Sequence, residues 1–252
     1  MIVDGKQIAQ EVISELAKER ASLAPVVKLG FVLSQGDEAS ASFVKMKERI
    51  ADRLHVVVVR EEVTTTQEAL HAIKRLEKIT DGILVQLPLP ENVDTEKVIS
   101  AVPKEKDVDF VHSPVALAIE EVLKRTNTNV ENMVAVVVGQ GRLVGAPAAE
   151  LLRRLGARVS VVTAEQGSLE ELKNADIVIL GAGNPGMVHP EMLKKGVVLI
   201  DAGTSESAGK LAGDATAACA DVASIYTPVP GGIGPIAVAM IFKNLFMLAK
   251  RS

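Results

Sequence analysis

The chain has few cysteines and histidines, the residues that form disulfide bonds or bind zinc. Its single cysteine, Cys219, cannot form an internal disulfide or a thiolate metal cluster, and its Ala-Ala-Cys-Ala-Asp surroundings are typical of a helix face. The four histidines, His55, His71, His112 and His189, lack the close helical spacing of a zinc site. We therefore expect a structural role for Cys219 and no catalytic metal.

Long apolar runs and an excess of positive charge are also missing. The sequence contains no candidate membrane span, and the amino-terminal Met-Ile-Val-Asp-Gly-Lys lacks the apolar core of a secretory signal. A formal net charge of -4 gives no basic field for nucleic acid. With 252 residues, 48% of them hydrophobic, the chain can form one large or two modest domains. We expect a cytoplasmic enzyme whose partners are small molecules, with no nucleic-acid or membrane partner.

Apolar runs bounded by turn residues alternate with segments of helical periodicity. This pattern predicts an α/β fold, with mainly parallel sheets covered by helices. Strands are predicted at 26–33, 56–60, 82–87, 134–138, 158–162, 176–180 and 197–201. Helices are predicted near 8–16, 40–54, 66–78, 115–125 and 236–250. A charged, turn-like segment after Pro103 predicts a hinge. The predicted domains are therefore 1–114 plus 236–252, which binds substrate, and 115–235, which binds a dinucleotide.

The second series of strands opens with a glycine-rich turn. A buried strand is followed by Gly139, Gln140, Gly141 and Gly145, and then by a helix. Such a turn aims backbone N–H groups and the positive end of a helix at a pyrophosphate, and its glycines allow close approach. The spacing is one residue longer than the common fingerprint, so tight packing of strand on helix stays open as an alternative.

Two residues after later strands bear on the cofactor. Glu165 would accept hydrogen bonds from an adenosine ribose and repel an added phosphate, which favours NAD over NADP. Alternatively, Glu165 is a solvated turn residue. Thr204, which follows the last strand of this series, is also predicted to contact the cofactor.

Lys47 is a polar residue in an otherwise apolar helical stripe that also contains Phe43, Met46 and Ile50. Burial would lower the pKa of the amine and allow proton exchange near neutral pH. The alternative is a lysine with a buried stem and its charged head in water.

Further polar residues follow the first series of strands. Gln86 stands before Leu-Pro-Leu-Pro, which places its amide at the carboxyl edge of the sheet, where ligands of open α/β sheets bind. A loop-capping role is the alternative for Gln86. Asp107 and Asp109 alternate, so in extended backbone both side chains point one way. We expect one to face a ligand, while the other is a solvated turn acid.

Residues 227–235 contain three prolines and three glycines within nine residues. Proline fixes φ and glycine permits conformations closed to other residues, so this loop can hold bare backbone rigidly against a ligand. An ordinary connection is the alternative.

Together these segments resemble the bifunctional methylenetetrahydrofolate dehydrogenase/methenyltetrahydrofolate cyclohydrolase (FolD-like) family. The matching segments are Ile-Val-Asp-Gly-Lys at 2–6, Ala-Ser at 39–40 followed by Phe43, Val44 and Lys47, the run 81–90, Lys-Asp-Val-Asp at 106–109, Val-Gly-Ala-Pro at 144–147, and 227–235. The resemblance implies a two-domain homodimer, with an N-terminal α/β substrate domain, a C-terminal Rossmann-like domain and folate in the interdomain cleft. It implies catalytic roles for Lys47, Gln86 and Asp109. It also implies substrate contacts at Phe43, Val85, Leu87, Pro230, Gly231 and Gly232.

The chemistry that this family performs suits these residues. Oxidation of 5,10-methylene-tetrahydrofolate by NAD or NADP leaves a resonance-stabilised cation, so the protein need only orient the reactants. Hydrolysis of the cation to 10-formyl-tetrahydrofolate moves protons, which is a task for Lys47. Gln86 would hold the lysine, and Asp109 would bind the pterin donors.

The sequence departs from the family pattern at four places. Phe43 replaces a tyrosine, the hinge after Asp109 is shortened, Gln140 replaces an arginine suited to the extra phosphate of NADP, and Ala164 replaces a serine. The last two changes favour NAD, whereas the resemblance favours NADP. Two other functions stay open, namely an NAD-dependent dehydrogenase of a non-folate substrate and a catalytically impaired folate- or nucleotide-binding homologue.

Overall fold

The computed structural model describes residues 1–36, 38–207 and 210–250. The chain divides into two compact units, each with its own parallel sheet. The three-stranded unit comprises Gln10–Pro114 and Val238–Ser252, and the five-stranded unit comprises Met1–Ala9 and Val115–Ala237. The predicted two-domain α/β fold with parallel sheets is confirmed.

The first residues of the chain belong to the five-stranded unit, whereas the sequence analysis grouped them with 10–114. Val3 N–H donates to the Tyr226 carbonyl at 2.8 Å, and Gly5 N–H donates to the Gly231 carbonyl at 2.9 Å. These backbone hydrogen bonds join the amino-terminal segment to the strand and loop near residue 230.

The three-stranded unit has the strand order β2-β1-β3, with all neighbours parallel. Its elements are α1 (Gly5–Arg20, which begins in the other unit), β1 (Val27–Ser34), α2 (Glu38–Arg53), β2 (Val56–Val63), α3 (Thr66–Ile79), β3 (Gly82–Val85) and α4 (Thr95–Ser100). Helix α3 begins with a capping box, in which Thr65 Oγ1 accepts the Glu68 N–H and the Glu68 carboxylate accepts the Thr65 N–H. Helix α3 then covers the sheet closely, since a Cβ at Gly30 would lie 2.9 Å from a Leu76 methyl.

The five-stranded unit has the order β10-β7-β6-β4-β5, again with all neighbours parallel. Its elements are α5 (Pro114–Arg125), β4 (Val134–Val138), α6 (Gly145–Arg154), β5 (Arg158–Val162), β6 (Ile177–Leu180), β7 (Val198–Asp201), the antiparallel pair β8 (Ser205–Ser207) and β9 (Lys210–Ala212), β10 (Ile225–Thr227) and α7 (Ile233–Ala249, which ends in the other unit). Short 3₁₀ helices occupy Leu169–Asn174, Pro190–Met192 and Ala217–Asp221. Because the five strands are parallel, their carboxyl ends share one edge.

The proline- and glycine-rich loop is shorter than the sequence analysis predicts. Thr227 ends strand β10 and Ile233 begins helix α7, so only 228–232 connect the two elements. Cys219 is buried in the 3₁₀ helix Ala217–Asp221, and burial raises the pKa of its thiol, as expected for a structural residue. Within the described ranges, no helix has the length and apolar character that crossing a membrane requires.

Candidate active site

Lys47 occupies a core position on helix α2, with only 9% of its surface exposed. Among the described side chains of this helix, Val44, Lys47 and Ala51 are buried, and buried Leu54 follows directly after its end, so these residues recur every three or four positions. Of the apolar residues that the sequence analysis placed beside Lys47, Met46 is exposed and Ile50 is partly buried. The helix thus directs an amine into a place that packing would normally fill with an apolar side chain.

The Lys47 amine has a defined partner at the end of strand β3. Lys47 Nζ donates to Gln86 Oε1 at 2.5 Å, and Gln86 Nε2 donates to the Leu87 carbonyl at 2.7 Å. The Gln86 backbone N–H donates to the Val32 carbonyl on strand β1 at 3.0 Å. The amide is therefore held at both ends, with its oxygen facing the lysine.

Asp109 interacts electrostatically with Lys47. Burial lowers the pKa of Lys47, and the negative charge of Asp109 acts in the opposite direction. Burial raises the pKa of Asp109 to about 6, with Lys47 opposing the rise and Asp107 adding to it. Both groups therefore change protonation closer to neutral pH than free side chains do.

Asp107 holds the segment that carries Asp109. Its Oδ1 accepts the N–H groups of Asp109 at 2.8 Å and Phe110 at 2.9 Å, and its Oδ2 accepts the Val111 N–H at 3.0 Å. The segment therefore turns after the parallel bridge between Asp107 and Ile83. The extended backbone predicted here is wrong. Neither acid is a solvated turn residue, since Asp107 is 5% exposed and Asp109 is partly buried.

Asn244 is a second support that the sequence analysis missed. Its Nδ2 donates to the carbonyls of Val108 at 2.9 Å and His112 at 2.6 Å, from a buried position on helix α7. The sequence feature that could have identified Asn244 is its amide within an almost wholly apolar helix. A buried polar side chain needs hydrogen-bond partners, so such a residue indicates a structural contact. Asp107 and Asn244 together fix the backbone on both sides of Asp109.

Three other residues of this unit were predicted to contact the substrate. The Val85 side chain is part of the hydrophobic cluster beneath helix α3, and Leu87 packs against the same cluster. The Leu87 carbonyl also orients Gln86. Phe43 lies on helix α2, and its side chain is outside the described part of the structure. Packing therefore accounts for the side chains of Val85 and Leu87.

The predicted substrate loop lies in the five-stranded unit. Pro230 is exposed, while Gly232 is buried and its N–H donates to the Pro228 carbonyl at 2.7 Å. The Gly231 carbonyl accepts the N–H of Gly5. These backbone hydrogen bonds hold the loop in a defined conformation and leave Pro230 accessible to a ligand.

The dinucleotide turn after strand β4 combines tight packing with an open side. Gly139 has φ 96°, and a Cβ there would lie 2.5 Å from the Gly181 carbonyl oxygen, while a Cβ at Gly145 would lie 2.1 Å from the Gly139 oxygen. In contrast, a Cβ at Gly141 would meet nothing within 4 Å, and Gln140 is exposed. Packing therefore explains Gly139 and Gly145, whereas the space at Gly141 is available to a ligand at the start of helix α6.

Glu165 lies in a turn at the carboxyl end of strand β5. Thr163 Oγ1 accepts the N–H groups of Glu165 at 3.2 Å and Gln166 at 3.1 Å, which fixes the turn. The residues Glu165, Ala164 and Thr204 are all exposed, and Thr204 follows strand β7. All three lie after strands whose carboxyl ends share the edge that holds the glycine turn.

Comparison with known proteins is consistent with this arrangement. Residues 3–109 match the family model of the tetrahydrofolate dehydrogenase/cyclohydrolase catalytic domain, and residues 113–252 match that of its NAD(P)-binding domain. The bifunctional protein FolD of Staphylococcus epidermidis is 36% identical over 276 residues, which cover 99% of this chain and 96% of the relative.

Solved structures show the same similarity. Bifunctional FolD of Campylobacter jejuni has a TM-score of 0.95 at 28% identity, covering 100% of this chain and 99% of its own. The Trypanosoma brucei methylenetetrahydrofolate dehydrogenase-cyclohydrolase, complexed with NADP and an inhibitor, has a TM-score of 0.90 at 29% identity, covering 100% and 97%. Both units are thus matched by sequence and by structure, and the chain belongs to the tetrahydrofolate dehydrogenase/cyclohydrolase family.

Proposed function

We propose that this protein oxidises 5,10-methylene-tetrahydrofolate to 5,10-methenyl-tetrahydrofolate with NAD(P) and hydrolyses the product to 10-formyl-tetrahydrofolate in one-carbon metabolism. The observation that carries this proposal is the buried Lys47 amine, which is hydrogen-bonded to Gln86 and interacts with Asp109. The family relatives support it, since bifunctional FolD of Campylobacter jejuni is named for both activities.

Hydrolysis of the methenyl cation depends on Lys47. Water loses a proton when its oxygen bonds to the cationic carbon, and a ring nitrogen gains one when its bond to that carbon breaks. Burial increases the neutral fraction of the Lys47 amine, which accepts the first proton and then, as an ammonium, donates it to the ring nitrogen. The proton of the added hydroxyl leaves to solvent as the formyl C=O bond forms, which gives the one proton that the overall reaction releases. Gln86 Oε1 accepts a hydrogen bond from Nζ and so holds the amine in place.

Oxidation places smaller demands on the protein. The nicotinamide cofactor supplies the hydride acceptor, and the resulting folate cation is stabilised by resonance. No base is needed, so the side chains act by binding and orientation. The Asp109 carboxylate accepts hydrogen bonds from donors on the pterin ring, and the backbone around Pro230, Gly231 and Gly232 contacts the substrate.

We further propose that NAD is the preferred dinucleotide. Glu165 is exposed at the carboxyl end of strand β5, where a carboxylate accepts ribose hydroxyls and repels an added phosphate. The neighbouring Ala164 has no hydroxyl and Gln140 has no charge that would bind that phosphate. Gly139, Gly141, Gly145 and Thr204 complete the proposed cofactor contacts.

We also propose that the protein acts as a homodimer in the cytoplasm. Strand β2 pairs only with β1 within the described sheet, and its Val57 side chain is 48% exposed. A second copy that covers this edge would satisfy its backbone groups and bury Val57. Light scattering should give twice the chain mass, and a monomer at all concentrations would contradict the dimer.

Cell fractionation should recover the protein with cytoplasmic enzymes, and recovery with another compartment would contradict the location.

Activity measurements on the unmodified protein test the proposed function. The purified chain should reduce NAD or NADP with methylene-tetrahydrofolate and should hydrolyse methenyl-tetrahydrofolate. Absence of both activities would overturn the proposal. Folate binding by calorimetry without turnover would instead identify a catalytically impaired homologue, and dinucleotide reduction with other substrates alone would identify a non-folate dehydrogenase.

A further inference from the structure

Two fully buried carboxylates of the five-stranded unit take no part in the chemistry described above. Asp201 ends strand β7 and Asp214 follows strand β9, and both are 0% exposed. A buried carboxylate is costly unless hydrogen-bond donors surround it. Here the donors are backbone N–H groups of nearby loops, which suggests that the two residues organise those loops.

Asp214 fixes the loop that follows strand β6. Its Oδ2 accepts the N–H groups of Ala182 at 2.7 Å and Gly183 at 3.1 Å, and its Oδ1 accepts the Asn184 N–H at 2.7 Å. Three successive residues, 182–184, are therefore tied to one side chain. Hydrogen bonds to a charged acceptor are stronger than neutral ones, so this loop is held firmly.

Asp201 in turn holds the backbone of Asp214. Its Oδ1 accepts the N–H groups of Gly203 at 3.0 Å and Asp214 at 3.2 Å, and its Oδ2 accepts the Ala215 N–H at 2.8 Å. The Asp201 backbone also exchanges hydrogen bonds with the Thr227 hydroxyl, at the end of strand β10. Asp201 thus holds Asp214, and Asp214 holds 182–184, so the two carboxylates link the loops that follow strands β6, β7 and β9.

Two glycines make room for these carboxylates. A Cβ at Gly203 would lie 2.3 Å from the carboxyl carbon of Asp214, and a Cβ at Gly213 would lie 2.2 Å from Asp201 Oδ2. Both distances are far inside van der Waals contact. The backbone is therefore shaped around the two side chains, as expected for a dedicated support.

The supported loop lies where a dinucleotide would bind. Strand β4 is flanked by β5 on one side and β6 on the other, so the strand order reverses between β4 and β6. Ligands of such sheets bind at the carboxyl ends of the strands at this reversal. The loop also packs on the glycine-rich turn, since a Cβ at Gly181 would lie 2.4 Å from a Val144 methyl.

We propose that Asp214, supported by Asp201, is a positioning residue for dinucleotide binding. It holds the backbone of 182–184 in the conformation that borders the cofactor at the reversal between strands β4 and β6. This inference rests on the proposed function, in which the five-stranded unit binds NAD(P). It predicts that weakening the support impairs the dehydrogenase through cofactor affinity and leaves hydrolysis, which needs no dinucleotide, unaffected.

The test compares Asp214→Asn with Asp176→Asn. An asparagine at 214 keeps the shape but cannot accept all three N–H groups, and we expect the dissociation constant for NAD(P), measured by calorimetry, to rise about tenfold or more. The dehydrogenase should show a raised KM for the dinucleotide and a retained kcat at saturation. Asp176 also accepts a backbone N–H, that of Val134 at 2.9 Å, but it lies at the amino end of strand β6. Asp176→Asn should therefore leave cofactor affinity unchanged.

The outcomes separate this inference from the proposed function. If the unmodified protein binds no dinucleotide, the proposed function fails. If it binds and Asp214→Asn binds equally well, or if both activities fall together in a folded variant, only the positioning role is overturned. Amide hydrogen exchange in the unmodified protein provides a test that needs no variant. The amides of 182–184 should be protected before cofactor is added, and free exchange there would overturn the inference.

Discussion

Replacing Asp107 by asparagine should loosen the segment that carries Asp109. The remaining oxygen can still accept the N–H groups of Asp109 and Phe110, but an amide nitrogen facing the Val111 N–H cannot accept it. Loss of one hydrogen bond to a charged acceptor costs about 1.5–3 kcal/mol. Val111 is exposed, so water can reach its N–H, and we expect a loss of about 1.5 kcal/mol in the free energy of unfolding.

Urea unfolding and steady-state kinetics measure the two consequences of Asp107→Asn. The denaturation midpoint should fall, and the KM for methylene-tetrahydrofolate should rise because Asp109 is less well fixed. The charge that helps to raise the pKa of Asp109 is also removed, so the acidic limb of the pH profile should move to lower pH. Asp52→Asn, on the exposed side of helix α2, is the control and should change neither quantity. Unchanged unfolding and unchanged KM in Asp107→Asn would refute the assigned support.

Three further changes test individual groups of the site. The pKa of Asp109 is raised to about 6, so its carboxylate is lost as pH falls through that value, and kcat/KM for methylene-tetrahydrofolate should fall below about pH 6. Asp109→Asn should lower kcat/KM and remove this fall in kcat/KM at low pH. A fall that persists in the variant would show that another group is responsible. Gln86→Glu places a negative charge beside Nζ, which favours the ammonium form of Lys47 and raises its pKa, so the pH profile of hydrolysis should move to higher pH. An unshifted profile would contradict the Lys47–Gln86 coupling. Glu165→Ser should raise the ratio of kcat/KM for NADP to that for NAD by about tenfold, since it removes a repulsive charge, and an unchanged ratio would show that Glu165 does not select the cofactor.

The sheets were the most predictable part of the fold. Strands β4 and β5 have the predicted bounds. Strand β4 is a continuous apolar run, as expected for a buried strand of a parallel sheet, whereas the edge strand β5 also contains Arg158 and Ser160. Strand β10 has only three residues and merges with the proline- and glycine-rich loop, so periodicity could not identify it. The pair β8 and β9 is equally short.

The site was predictable to a lesser extent. The helical pattern could not decide whether the Lys47 amine reaches water, because a lysine stem is long enough for either arrangement. The resemblance to the folate family directed attention to Lys47, Gln86 and Asp109. The role of Asp107 depends on the turn after it, and the role of Asp214 depends on a loop 30 to 32 residues away in sequence. Such long-range hydrogen bonds leave no periodic signal.

The most direct test of the account is the ratio of the two activities in Lys47→Met. Methionine fills the same buried space without a group that transfers protons, so hydrolysis of methenyl-tetrahydrofolate should fall by about 100-fold or more. The dehydrogenase, which needs no base, should be retained, and Lys45→Met on the exposed side of the same helix should leave both activities unchanged. A Lys47→Met variant that hydrolyses the cation at the unmodified rate, or a folded one that loses both activities equally, would contradict the role assigned to the buried amine.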